Sequence, residues 1–310
     1  MKPFISIIIS NHNGKRFIDD CLKTVKNQTY KNFETIFIDS GSTDGSVKYV
    51  ESKYSWVRLI DVGEKIGHGK CNNIGVQESN GKLIVSLDVD VKLDKDFLSE
   101  IVKCYLSHNN VGIIAPKILN FEGEIGSLGE YYSILGFGGD AKTPDIPIIG
   151  SPACAMCIDR YVFEEVGGFD EDFFMYMEDI DIGLRVMLAG YDIIHCQKAV
   201  VYHYYGGSGM ASEKKFYLNT RNNLYIIFKD LYMGQIPLTL FLFFIQRSIL
   251  TTFLFFKNSS LAKSIIKGIM DFDLVSTIRK RAKIKRFRKL KLLGFMDSLV
   301  VLWREQKGLK

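Results

Sequence analysis

The sequence predicts an α/β fold: a mixed, mostly parallel sheet flanked by helices, with a helical extension at the C-terminal end. Four apolar runs carry this reading, at residues 5–9, 33–38, 57–62 and 83–87, each bounded by turn residues and separated by segments long enough for a helix. Such alternation implies parallel strands joined by right-handed crossovers. The runs are rich in Ile and Val without polar alternation, the mark of strands buried on both faces. The composition agrees, since 310 residues with 47% apolar, 24% charged, 27 Gly and only 6 Pro describe a chain with a large core. Disorder, collagen and coiled coil are excluded.

Beyond the fourth run, residues 111–158 read as short strands and Gly-rich loops, including Gly136-Phe137-Gly138-Gly139. A helix is expected over 177–189, closed by Gly190, the residue type that tolerates the left-handed conformation past a helix end. A strand pattern over 199–204 contains His203 and runs into the loop Gly206-Gly207-Ser208-Gly209, and from about Glu213 the pattern is helical. The chain therefore divides into an α/β domain, 1–212, and a helical region, 213–310, that is first apolar and then basic.

The formal charge of +5 conceals an asymmetry: from Lys257 onward 15 Lys and Arg stand against 4 Asp and Glu, leaving an acidic body before a basic tail. Nine of the 13 residues 279–291 are basic, and the nearly apolar stretch 236–256 precedes them. No aromatic-rich RNA motif or finger spacing accompanies the basic run, so an anionic membrane surface, not nucleic acid, is the expected partner. Six scattered cysteines form no disulfide scaffold and suit a reducing compartment. The apolar run at the N-terminus is too short for a signal-peptide core, so the expected location is the cytoplasm, peripheral on the cytoplasmic face of the membrane.

Ligands of open α/β sheets bind beyond the carboxyl ends of the strands, and the residues there are polar: Asn11-His12-Asn13, Asp39-Ser40-Gly41-Ser42 and Asp88-Val89-Asp90. Asp88 and Asp90 flank one residue, so their carboxylates either converge on one point, where hard oxygen ligands suit Mg²⁺ or Mn²⁺ shared with phosphates, or belong to an ordinary acidic turn. Asp39 either caps the following helix, as Asp44 does, or accepts a hydrogen bond from a base or sugar. Glu178, Asp179 and Asp181 crowd the first turn of a helix, where the dipole favours acids and where clustering raises a carboxyl toward the range of a general base. His203 is either a core histidine or a third metal ligand. Cys154 and Cys157 read as core packing, and Gly67-His68-Gly69 with Asn72 fails the dinucleotide pattern, with no P-loop elsewhere.

Taken in order, these pieces resemble glycosyltransferase family 2, enzymes of GT-A fold, and most closely its rhamnosyltransferase-like branch. The matching segments are Ser6-Ile7-Ile8-Ile9-Ser10-Asn11-His12-Asn13-Gly14, Cys21-Leu22 through Gln28-Thr29-Tyr30, and residues 33–46, 67–75 and 83–90. Val166-Gly167-Gly168-Phe169-Asp170 through Arg185 completes the set. The resemblance implies that Asp39 pairs with a pyrimidine, helped by Ser10, Asn11, Asn13 and Ser42. It places Asp88 near the ribose and metal, and Asp90 on the metal. His203 matches a metal-ligand position, and Asp179 matches the catalytic base, with Glu178 and Asp181 near the acceptor. Where the family commonly has Asn, this chain has Lys65 and Ser40.

The implied reaction is inverting, metal-dependent transfer of a sugar from a UDP- or dTDP-type donor to a hydroxyl of a glycan or lipid-linked acceptor, in cell-surface polysaccharide assembly. The loop at 136–143 or at 206–209 is expected to close over the donor. A sugar nucleotidyltransferase would need a Gly-rich basic loop after the first strand, which Asn11-His12-Asn13-Gly14 is not. A non-catalytic membrane adaptor would be free to lose the carboxylates, and all are present.

Overall fold

Each apolar run becomes a strand, and the polar residues after it fall at one end of the sheet. The computed structural model describes residues 2–204 and 210–284, together with 292, 294, 297 and 298. The first half contains β1 (Ile5–Asn11), α1 (Lys15–Lys26), β2 (Phe33–Asp39), α2 (Ser46–Lys53), β3 (Arg58–Asp61), α3 (His68–Gln77) and β4 (Leu83–Asp88). The middle adds β5 (Val91–Leu93), α4 (Phe97–Leu106), β6 (Val111–Leu119), β7 (Ile125–Ser127), β8 (Glu130–Ser133), β9 (Phe137–Asp140) and β10 (Ala155–Asp159). Then come α5 (Arg160–Glu165), α6 (Glu178–Leu188), β11 (Asp192–His203), α7 (Ser212–Lys229), α8 (Ile236–Lys257), α9 (Ser259–Met270) and α10 (Leu274–Arg281).

The main sheet runs β3-β2-β1-β4-β10-β6-β11-β5, with β7 beside β6. Pairs among β1 to β4 are parallel, β10 runs antiparallel to both neighbours, and β5 antiparallel to β11, so the sheet is mixed as expected. The chain leaves β1 toward β2 on one side and returns to β4 on the other, which makes the β1/β4 boundary the switch point. Register places Asn11 opposite Asp39 and Ser10 opposite Asp88 there.

Alternation along β1 feeds two cores. Ile5, Ile7 and Ile9 pack with Leu22, Phe97 and Ile101 on one face, and Ile8 packs with Ile84, Met156 and Ile182 on the other. All four isoleucines are fully buried, at roughly 1.5–3 kcal/mol each, enough to fix this register against the one-residue slip that would exchange the faces. A third core joins α6, α7 and α8 through Ile180, Leu184, Ile226, Ile227 and Phe243.

Two expectations are corrected. The strand expected over 199–204 is the end of a longer one, because β11 begins at Asp192 and shifts register between Cys196 and Val200, where exposed Gln197 and Lys198 break the apolar pattern. Within the segment expected as a loop, 136–143, Phe137–Asp140 is a strand paired to β8, since Gly138 and Gly139 leave room for Tyr131 and Tyr132. The 206–209 loop and the basic residues beyond 284 lie outside the described residues.

Candidate active site

A cavity of about 440 Å³ opens at the carboxyl ends of β1 and β4. Ser10, Asn11 and Asp88 face it, whereas Asn13, Asp39 and Ser42 form a hydrogen-bonded layer behind. Asp39 is fully buried: it accepts from Asn11 Nδ2 at 2.6 Å and from the Ser42 amide at 2.8 Å. Ser42 Oγ in turn accepts from Asn11 Nδ2 (3.1 Å) and the Asn13 amide (2.8 Å), and Asn13 Oδ1 accepts from the Thr43 amide (2.7 Å). These bonds orient the Asn11 side chain, which lines the cavity. Ser40 Oγ accepts from the Ile66 amide at 2.9 Å and donates to the Glu64 carbonyl at 3.1 Å, tying β2 to the segment that carries Lys65 to the cavity. Gly45 is the N-cap of α2, and Asp44 just before it accepts from the Ser46 amide at 3.0 Å.

His68 sets the geometry of the opposite wall, a role the sequence reading missed. Its Nε2 lies 3.0 Å from Asp88 Oδ1 and its Nδ1 3.1 Å from Glu178 Oε1, so one imidazole bridges the ends of β4 and α6. Burial works against its charge, but the two carboxylates outweigh burial and hold His68 well above the ordinary histidine range. Reciprocally, Asp88 is brought down to about 2 despite its own burial, by His68 and by the Ser10 hydroxyl at 2.7 Å. Gly67, with φ +88, permits the approach: a Cβ there would stand 2.3 Å from the Phe174 carbonyl.

Asp179 opens the first turn of α6 and faces the cavity. Burial, and then the neighbouring Glu178 charge, push it up to about 7, against the Ala153 and Ile180 amides that favour its charged form. Behind it stands Glu130 of β8, also missed, because nothing in the Gly-rich middle segment marks it. Burial, and then the Asp179 charge, hold Glu130 well above the carboxylate range. Transfer that uses Asp179 as base is therefore expected to fall about tenfold per pH unit below about 7. A pH–rate profile flat from 6 to 8 would exclude that use. The stability sign is opposite: a raised carboxyl favours the folded state fully below its ordinary 3.8, and the benefit is lost as pH rises through about 7.

Asp181 is a correction. It is fully buried and turned away from the cavity, pairing with Arg185 (2.6 Å) and with Lys229 of α7. The i,i+4 spacing of Asp181 and Arg185 is the sequence signal that points to this structural role.

Asp90 and His203 face each other at 3.4 Å across the end of β11. Among the described residues no three His, Cys, Asp or Glu side chains are gathered closely enough to hold a metal. Asp88 Oδ1 accepts from Ser10 and pairs with His68 at 3.0 Å. One carboxylate oxygen and one imidazole nitrogen fit a cation that takes its remaining ligands from phosphates and water. The residues present therefore fit Mg²⁺ or Mn²⁺ as a two-ligand site.

The sequence profile of glycosyl transferase family 2 matches residues 6–167, more than half of the chain. The chain belongs to that family. It is similar to the low-salt glycan biosynthesis hexosyltransferase Agl10 of Haloferax volcanii, 26% identical over 215 residues that are 64% of this chain and 66% of that one. It is also similar to the N-acetylglucosaminyl-diphospho-decaprenol L-rhamnosyltransferase of Mycobacterium tuberculosis, 22% identical over 76% of this chain and 87% of that one. An uncharacterized Sinorhizobium fredii protein, y4gI, is 26% identical, but the chain spans only 25% of its length. Among solved structures, the mannosyltransferase PcManGT of Pyrobaculum calidifontis, in complex with GDP-Man and Mn²⁺, superposes with TM-score 0.55 at 16% identity, over 98% of this chain and 88% of that one. TarS of S. aureus in complex with UDP gives 0.56 at 19%, over 76% and 70%. These likenesses establish the GT-A fold.

Proposed function

We propose that this family 2 chain is an inverting, metal-dependent transferase that moves a sugar from a UDP- or dTDP-type donor to a hydroxyl of a glycan or lipid-linked acceptor in cell-surface glycan assembly. One observation carries the reading: a carboxylate held near pH 7 at Asp179 shares a cavity with the Asp90–His203 pair. Bacterial and archaeal relatives named as hexosyl- and rhamnosyltransferases support it, as do one fold neighbour holding UDP and another holding GDP-Man and Mn²⁺.

In this reading Ser10 and Asn11 hold the nucleotide, with Asp39, Ser42 and Asn13 fixing the Asn11 amide. Lys65 and Lys215 line the cavity and meet the diphosphate. Asp90 and His203 would hold the cation, which when bound offsets the charge developing on the departing nucleoside diphosphate. Asp179 takes the proton from the acceptor hydroxyl as its oxygen attacks the anomeric carbon opposite the leaving group. The bond to the diphosphate breaks as the new glycosidic bond forms, and the proton rests on Asp179. Glu178, tied to His68, stays beside the acceptor. Screening UDP-, dTDP- and GDP-sugars for Mn²⁺-dependent nucleotide release tests the proposal, and no release from any of them, with or without an added glycan, would overturn it.

Peripheral membrane attachment on the cytoplasmic face belongs to the same proposal. The support is the inverted character of α8: Thr239, Phe243 and Arg247 point into the protein, while Phe241, Ile249, Phe253 and Phe256 are exposed, Phe256 by 84%. α8 is long and apolar enough to cross a bilayer by length and composition alone. Arg247, however, lies against the Phe243 ring inside the protein, so the charge in the middle of the helix turns inward while the apolar side faces outward. Vesicles containing phosphatidylglycerol should float the protein, and the double variant Phe241→Glu, Phe253→Glu should lose most of that binding. Flotation unchanged in the double variant would remove α8 from the contact.

A further inference from the structure

The carboxylate proposed as the base stands at the end of a turn that the backbone resists. Phe174, Tyr176 and Met177 have φ of 65°, 68° and 71°, so within four residues three side chains with Cβ atoms occupy the left-handed region. Bulky residues avoid that region unless their surroundings dictate it. Met177 immediately precedes Glu178 and Asp179, and its carbonyl accepts from the Asp181 amide at 2.9 Å as the first helical bond of α6. Any relaxation of the turn therefore re-aims both acids.

What dictates the turn comes from the helical region beyond the sheet. Asn222 of α7 is fully buried, and its Nδ2 sits 3.1 Å from the Phe173 carbonyl, 3.0 Å from that of Met175 and 2.8 Å from that of Tyr176. A single amide group thus gathers three carbonyls of the strained turn onto one point. Arg221 fixes which way that amide faces: its Nε and Nη2 donate to Asn222 Oδ1 at 3.1 and 2.9 Å. Because a guanidinium can only donate, the amide oxygen must face it and the NH₂ must face the turn. The same Nη2 reaches the Asp172 and Phe173 carbonyls, at 2.8 and 3.1 Å, and the guanidinium lies over the rings of Tyr217 and Tyr225.

We infer that Asn222, oriented by Arg221, is a positioning residue: its amide holds residues 173–177 in the left-handed turn that aims Asp179 at the cavity. This rests on Asp179 serving as the base. It also makes α7 part of the reaction's machinery through contacts that touch no substrate.

The test replaces the donor while keeping the shape. Asn222→Asp retains the volume and the pairing with Arg221, but it puts an anion where three carbonyls converge. In full-length protein carrying ¹³C-methyl methionine, the Met175 and Met177 methyl signals should shift or broaden, while that of Met156, buried in β10, stays in place. Affinity for UDP with Mn²⁺ should stay within about twofold, and kcat should fall about tenfold or more, about 1.4 kcal/mol, with the donor KM little changed. Met175 and Met177 signals that do not move, or a Met156 signal that moves with them, overturn the inference, the second because the whole fold has then loosened. Should the aspartate variant not yield folded protein, Asn222→Ala removes the donor without adding charge and is read by the same three signals. The methionine signals need no sugar substrate, so they judge the turn even if none of the nucleotide sugars is turned over and the proposed reaction fails.

Discussion

Asp179→Asn is expected to reduce sugar transfer by about 10²–10⁴-fold, the range of a lost general base, while UDP still binds. The amide keeps the side chain's shape and removes its basicity. It also removes a bond, because the carboxylate accepts from the Ala153 amide at 3.2 Å and the Ile180 amide at 3.0 Å, and an amide has only one oxygen to serve them. That loss costs about 1 kcal/mol of stability, too little to unfold the chain and too little to account for the rate. Calorimetric titration with UDP and an assay of nucleotide release, run on the same preparation, separate the two effects. Turnover above about a tenth of wild type, a barrier change under about 1.4 kcal/mol, would move the role to Glu178, which lines the same cavity. Asp181 does not inherit it, since its carboxylate is committed to Arg185 and Lys229 inside the protein.

The contrast between these two acids shows how far a sequence reading reaches. Strand ends are legible because a buried parallel strand is a run of Ile and Val, and the polar residues that interrupt it must lie at the switch point; Asn11, Asp88 and Asp90 follow directly. Within the first turn of α6, Glu178, Asp179 and Asp181 are all acids, and what sets the third apart is Arg185 one turn on, joined by Lys229 from α7. Glu130 and His68 were missed for a related reason. Glu130 reaches Asp179 because β8 lies beside Gly150, a contact across 20 residues of chain with no periodicity to announce it. His68 sits between glycines that resemble a failed dinucleotide motif, whereas Gly67 is there for the close passage of the Phe174 carbonyl. Arg247 makes the same point for α8. On the sequence it is a charge in the middle of an apolar stretch, and only the fold shows it directed at Phe243 and away from the exposed side.

Asp90→Ala should abolish the response to Mn²⁺, lowering turnover by about 10²–10³-fold, the scale of removing one stabilising group from a developing oxyanion. Asp90 supplies the only carboxylate of the pair, and its loss leaves one neutral imidazole to share a cation with a diphosphate bearing several negative charges. A cation held mainly by the nucleotide would then no longer be held to the protein, so UDP affinity in the variant should be the same with Mn²⁺ as with EDTA. Asp88→Asn provides the comparison. Its carboxylate is engaged by Ser10 and His68, so its loss should loosen the wall that carries Glu178 yet leave the difference between Mn²⁺ and EDTA in place. If Asp90→Ala instead keeps that difference and Asp88→Asn erases it, the cation sits one strand-end residue nearer the sheet, and His68 must release Asp88 whenever the nucleotide binds.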